Sequence, residues 1–195
     1  MSGNRPHGRL HTVRRHGLPM SVRVVSGAAG GRRLVAPKGL DTRPTGDRVR
    51  QATFDALTSL GVIEDALVLD LFAGSGAMGI EALSRGAATA TFVDTSVAAV
   101  AAIEANLATT GLTARATVER VDAARFVSTS TSRWDLAVVD PPYATDAERW
   151  EWLLSSLDAD VVVAESDREI EPGPGRRVLR VGRYGSTVVT LTRRT

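Results

Sequence analysis

The sequence predicts an α/β domain in which a seven-stranded, mostly parallel sheet carries helices on both faces and a small β-hairpin extends its N-terminal end. Three observations carry this. From residue 66 onward, short apolar runs alternate with helical segments, the pattern of strands buried on both faces and joined by crossover helices. A glycine-rich turn with glycines at 74, 76 and 79 follows the first of these strands. Beyond Glu171-Pro-Gly-Pro-Gly175 the alternation stops, and two β-prone runs around Gly185-Ser186 read as a closing antiparallel pair.

Taken in order, residues 1–20 have no apolar period and are rich in Gly, Pro, Arg and His, so they are expected to be disordered or tag-like, with Met1 and Met20 both open as the start. Residues 21–44 are expected to form the hairpin extension, from β-prone runs at 22–25 and 32–35 separated by Gly27, Gly30 and Gly31. The main domain, 45–195, opens with a helix from Thr45. Val49, Ala52, Ala56, Leu57 and Leu60 recur on it at helical spacing, and Gly61 is its stop. Strands are expected over 67–71, 90–94, 115–121, 136–140 and 161–164, then over 178–181 and 187–192. A helix is expected over 80–85, and the clearest one spans 97–107, with Val97, Val100, Ile103 and Leu107 on one face and Ser96 as N-cap.

The composition excludes several classes of function. There is no cysteine in the 195 residues, and the three histidines all lie within the first 16, so disulfides and thiolate sites are ruled out and no metal is expected. The longest apolar run, from Val97 to Ile103, is far too short to span a bilayer, and no secretory signal is visible, so a cytoplasmic, monomeric protein is expected. The near-neutral total of +2 hides a segregation: residues 1–50 carry a net +9, residues 51–171 a net −13, and residues 172–195 a net +6. Basic flanks on an acidic body are the footprint of a nucleic-acid partner gripped beside a different pocket.

The glycine turn, Asp70-Leu71-Phe72-Ala73-Gly74-Ser75-Gly76, lets a ligand approach bare backbone at the carboxyl edge of the sheet. Asp94 ends the second strand, where a carboxylate can accept hydrogen bonds from both hydroxyls of a ribose. NAD and S-adenosylmethionine both carry such a ribose. Asp70 separates them, because a carboxylate beneath the turn suits a cationic amino group and repels a pyrophosphate. Asp122 could accept from an adenine amine while Ala123 supplies a backbone N–H; the alternative for each aspartate is to cap a helix. The segment Asp140-Pro141-Pro142-Tyr143 carries the chemistry. Two prolines fix φ and remove two donors, leaving carbonyls as rigid acceptors. The Asp140 carboxylate and the Pro141 carbonyl can receive both N–H bonds of an exocyclic amine, and Tyr143 can stack on the base.

These motifs resemble the S-adenosylmethionine-dependent amino-methyltransferases. The upstream segments Val25-Ser26-Gly27, Gly31-Arg32-Arg33-Leu34, Pro37-Lys38-Gly39-Leu40 and Arg43-Pro44-Thr45-Gly46-Asp47-Arg48-Val49-Arg50-Gln51 are similar to the N-terminal signature of the RsmD family. The resemblance implies a Rossmann-like class I methyltransferase that methylates guanine N2 in the 16S ribosomal RNA of the small subunit. It implies Asp140, Pro141 and Tyr143 as catalytic, and Asp70, Phe72, Gly74, Gly76, Asp94, Asp122 and Ala123 around S-adenosylmethionine. Arg32, Arg33, Lys38 and Arg43 would reach RNA. Gln51 departs from the family's usual Glu, and Asp94 from a frequent Glu. The alternatives are a dehydrogenase, which leaves Asp140-Pro-Pro-Tyr143 unexplained, a DNA adenine or cytosine amino-methyltransferase, and a non-catalytic ribosome-assembly factor.

Overall fold

A computed structural model describes residues 22–37, 46–142 and 144–195. Residues 1–20, Lys38, Arg43, Thr45 and Tyr143 lie outside the described residues. Strands β1 (Val22–Arg23) and β2 (Arg33–Leu34) pair antiparallel and form the expected hairpin. The main domain then runs α1 (Asp47–Ser59), β3 (Leu67–Leu71), α2 (Ala77–Ser84), β4 (Thr89–Asp94) and α3 (Val97–Thr110). A 3-10 turn at Thr113–Arg115 leads to β5 (Ala116–Arg120), α4 (Ala123–Thr129), β6 (Trp134–Val139), α5 (Ala147–Ser156), β7 (Ala159–Ser166), β8 (Arg176–Tyr184) and β9 (Thr187–Arg194).

The main sheet has seven strands in the order β5-β4-β3-β6-β7-β9-β8, and β9 runs against the rest. Alternate residues of the central strands feed two cores, as a sheet covered on both faces requires. Val68, Leu136, Val138, Val161 and Val163 meet Phe54 and Leu57 of α1, Ile80 and Leu83 of α2, and Ile103 of α3. Leu69, Ala137, Val139, Val162 and Ala164 meet Val127 of α4 and Trp150, Leu153 and Leu154 of α5. The chain leaves β3 toward β4 on one side and returns to β6 on the other. The crevice outside the carboxyl ends of β3 and β6 is therefore the switch point where α/β sheets bind ligands.

Two helix faces differ from the sequence reading. On α1 the inward stripe is Arg50, Thr53, Phe54 and Leu57, with Ala56 beside it, while Leu60 is exposed. On α3 it is Ala99, Ala102, Ile103, Asn106 and Leu107, and Val97 points to solvent. Each helix is rotated because a polar residue, Arg50 or Asn106, is drawn inward by partners distant in sequence. Other boundaries move: the residue before β5, Arg115, belongs to the 3-10 turn and donates to the carbonyls of Leu83 and Ala87 at and just past the end of α2, β6 begins earlier and stops short of Asp140, and β7 and β8 are longer than expected. Among the described residues no helix is long and apolar enough to cross a membrane.

Candidate active site

The chain leaves β3 through a tight turn: Phe72 adopts a left-handed φ of 59°, and Gly74 and Gly76 follow at 54° and 74°. A Cβ on Gly74 would meet nothing closer than 3.9 Å, so its backbone is open to a ligand. Gly79 serves another purpose, since a Cβ there would lie 2.3 Å from the Phe92 ring; its absence lets α2 sit directly on β4. Asp94 braces the turn, accepting from Gly74 N–H and Ser96 N–H at 2.9 Å each. Each carboxylate oxygen keeps a second lone pair for a ribose hydroxyl.

Asp70 lies beneath the turn, only 3% exposed, and accepts from Gly79 N–H at 2.9 Å. Burial pushes its carboxyl up to about 7, against the pull of the Gly79 hydrogen bond and with a further push from Asp94. A cation arriving here would relieve that cost. Across the ladder Asp70 pairs with Val138 of β6, and Asp140 follows two residues on, just past the end of that strand. Asp140 is half-buried, and burial, then the charges of Glu165 and Asp70, hold its carboxyl well above the usual carboxylate range. Pro141 is buried behind it. The Pro142 carbonyl accepts from the Thr145 N–H at 2.9 Å and hydroxyl at 2.8 Å, and Arg168 donates to the Thr145 carbonyl at 2.6 Å, fixing this turn to the segment after β7.

Asp70, Asp94, Gly74, Gly76 and Asp140 thus share the carboxyl edge of the sheet. Asp122 is exposed and caps α4, accepting from Arg125 N–H at 3.1 Å, with Ala123 buried as the helix's first residue. Arg32 and Arg33 are exposed on the hairpin.

Sequence reasoning missed how that hairpin is seated. Glu81 of α2 is fully buried and accepts from Val25 N–H at 2.7 Å, Ser26 N–H at 3.0 Å and Arg85 Nε at 2.7 Å. Arg50 lies 3.6 Å from Glu81, pairs with Asp47 at 2.8 Å and donates to the Arg23 carbonyl. Arg50 is therefore an interior ion-pair residue, not an RNA or cofactor ligand. Ser84 receives Ala29 N–H at 2.9 Å, and Gly27 packs so close to the Ser84 carbonyl that any side chain would collide. Asn106 accepts from Val35 N–H at 2.8 Å and donates to the carbonyls of Val35, at 3.0 Å, and Ser75, at 2.8 Å, tying the hairpin's exit to the glycine turn. The signal in the sequence was a lone acid, Glu81, in an otherwise buried helix.

A family model described as Conserved hypothetical protein 95 matches residues 22–193. The chain belongs to this family. Its relatives include the RsmD proteins that the N-terminal signature pointed to. Ribosomal RNA small subunit methyltransferase D of Escherichia coli K12 is 41% identical over 122 residues, spanning 63% of this chain and 60% of that protein. YlbH of Bacillus subtilis, provisionally named an rRNA methyltransferase, is 39% identical over 160 residues, 77% of this chain and 85% of YlbH. The solved structure of Escherichia coli yhhF, provisionally named a methyltransferase, overlays with a TM-score of 0.77 at 34% identity, covering 89% of this chain and 98% of that one. The Rossmann-like architecture implied by the resemblance to the RsmD family is the one this chain adopts.

Proposed function

We propose that this protein is an S-adenosylmethionine-dependent methyltransferase of ribosomal RNA, and that its target is the exocyclic N2 of a guanine in the 16S RNA of the small subunit. The relatives' names support the RNA class. One observation carries the chemistry: Asp140, with its Pro-Pro turn, directly follows the strand that pairs with Asp70's and feels the charge of Asp70, so an amine acceptor and a cation acceptor share one crevice.

Gly74 and Gly76 would offer bare backbone to the cofactor, with Phe72 at the turn. Asp70 would meet its amino group, Asp94 its ribose, and Asp122 with Ala123 its adenine. Bound S-adenosylmethionine supplies an electrophilic methyl group, whose bond to sulfur breaks as the bond to N2 forms. Guanine's amine is a weak nucleophile, because its lone pair is delocalised into the ring. With one N–H held by the Asp140 carboxylate and the other by the Pro141 carbonyl, the nitrogen pyramidalises and its lone pair points along the line of attack. Asp140 then stabilises the positive charge developing on nitrogen and takes the released proton or passes it to water. Tyr143 would stack on the base once it has left its helix. Arg32, Arg33, Lys38 and Arg43 would hold the phosphates around it.

The test is transfer of labelled methyl groups to small ribosomal subunits lacking the modification, followed by nucleoside mass analysis. The expected product is N2-methylguanosine. A label on adenine or cytosine, or on DNA alone, would overturn the proposal.

A further inference from the structure

Asn106 has no part in the chemistry above, yet it joins two regions that the function needs together. It lies in the C-terminal half of α3 and is only 1% exposed. Its carboxamide has one acceptor and two donors in use: Oδ1 accepts from Val35 N–H at 2.8 Å, and Nδ2 donates to the carbonyls of Val35, at 3.0 Å, and Ser75, at 2.8 Å. An N–H on one side and carbonyls on the other fix which way the amide faces. Val35 directly follows β2, and its side chain is 55% exposed, so this residue is held to the domain through its backbone, by Asn106. Ser75 stands between Gly74 and Gly76 in the turn that leaves β3. Ile103, three residues before Asn106, packs under the same turn: a Cβ on Gly76 would lie 3.2 Å from it.

Asp94 and Asn106 thus brace the glycine turn from two sides. Asp94 takes the Gly74 N–H at the end of β4, and Asn106 gives to the Ser75 carbonyl from α3. The second brace continues into the hairpin that carries Arg32 and Arg33. Resting on the reading of the turn as the cofactor site and of the hairpin as an RNA contact, we propose that Asn106 is a positioning residue that couples the two, so that RNA and S-adenosylmethionine bind more tightly together than apart. Phosphates held at Arg32 and Arg33 fix the strand that ends at Leu34. The next residue, Val35, then holds the carboxamide in one orientation, and the carboxamide holds the Ser75 carbonyl. Whichever ligand binds first meets the ordering cost of this shared set of hydrogen bonds, and the second finds its own side already fixed. The gain is equal in both directions, because coupling between two sites is reciprocal. The residue type matters: Asp, of the same shape, has no N–H to give Ser75, and Leu neither donates nor accepts.

The experiment uses labelled S-adenosylhomocysteine, which binds without reacting, and small ribosomal subunits lacking the modification. The affinity of S-adenosylhomocysteine for wild type and for Asn106→Ala is measured with and without saturating subunits, and the affinity of the subunits with and without saturating S-adenosylhomocysteine. Wild type is expected to gain about fivefold or more, by the same factor in both directions. In Asn106→Ala both factors should fall to within about twofold of unity. A residue that merely supports the fold would weaken each affinity and leave the factor unchanged. A variant that binds both and keeps the wild-type factor would therefore overturn the proposal, as would wild-type affinities that are independent of each other. Should the variant fail to fold or to bind the subunits, wild type alone still decides, through amide exchange. S-adenosylhomocysteine added without RNA should slow exchange at Val35 N–H about fivefold more than at Val25 and Ser26, whose N–H groups go to Glu81. Equal slowing at all three is ordinary stabilisation by a ligand, and that result, or no slowing, would overturn the proposal. The functional reading fails separately, if wild type binds no S-adenosylhomocysteine or no small subunits.

Discussion

Asp70 of strand β3 and Glu81 of helix α2 are both buried carboxyls, and they are provided for in opposite ways. Asp70, under the glycine turn, receives one N–H, from Gly79, and faces the carboxyls of Asp94 and Asp140. Glu81, under the N-terminal hairpin, is surrounded by donors: two backbone N–H groups and the guanidinium groups of Arg50 and Arg85. A buried acid whose donors all come from the chain is a staple. One that stays short of donors keeps its carboxyl near 7 and is completed from outside. The difference separates the edge that would do chemistry from the seat that positions the hairpin.

The largest expected effect lies at the first region. Asp140→Ala should lower single-turnover methyl transfer by about 1,000-fold or more while leaving S-adenosylmethionine affinity within about twofold; rapid-quench kinetics with calorimetry reads both. At the second region the effect should fall on stability. Glu81→Gln strips the charge that compensates Arg50 and Arg85, at an expected cost of about 3 kcal/mol or more in urea unfolding, with amide exchange at Val25 and Ser26 speeding up most.

Removing the charge of Asp70 should do the reverse. Its carboxyl titrates higher in the folded than in the unfolded chain, so wild type is stable with respect to this group below about pH 4. It loses that stability as pH rises through about 7. Asp70→Asn should therefore match wild type in acid and exceed it by about 1–4 kcal/mol at pH 8. In the same series, S-adenosylmethionine should bind wild type more tightly as pH rises through 7, and the variant without that dependence. If both acids destabilise alike when neutralised, the distinction between staple and site fails. The smallest effect belongs to the surface: reversing Arg32 and Arg33 to Glu should flatten the salt dependence of RNA binding by about 1.4–1.8 in log–log slope, read from filter binding between low and physiological salt.

The sequence legibly marked the edge because local rules write it. Glycines at 74 and 76, acids at strand ends and two adjacent prolines each mean something within a few residues of themselves, and the structure gathers Asp70, Asp94 and Asp140 where strand ends must meet. The hairpin seat follows no local rule. Val25 finds Glu81 across 56 positions, and Val35 finds Asn106 across 71. Apolar periodicity placed Val97 inward and left Asn106 unremarked, because a polar residue whose hydrogen bonds come from distant backbone has no signature in its own helix. Arg50, absent from the expected apolar stripe of α1, turns inward for the same reason.

The most direct measurement is a structure of the protein with S-adenosylhomocysteine bound. The account expects the sulfur to sit over the crevice between β3 and β6, one amine's width from the Asp140 carboxyl and the Pro141 carbonyl, with the amino end beside Asp70. A sulfur lodged away from Asp140, with that carboxyl turned into the protein, would contradict it.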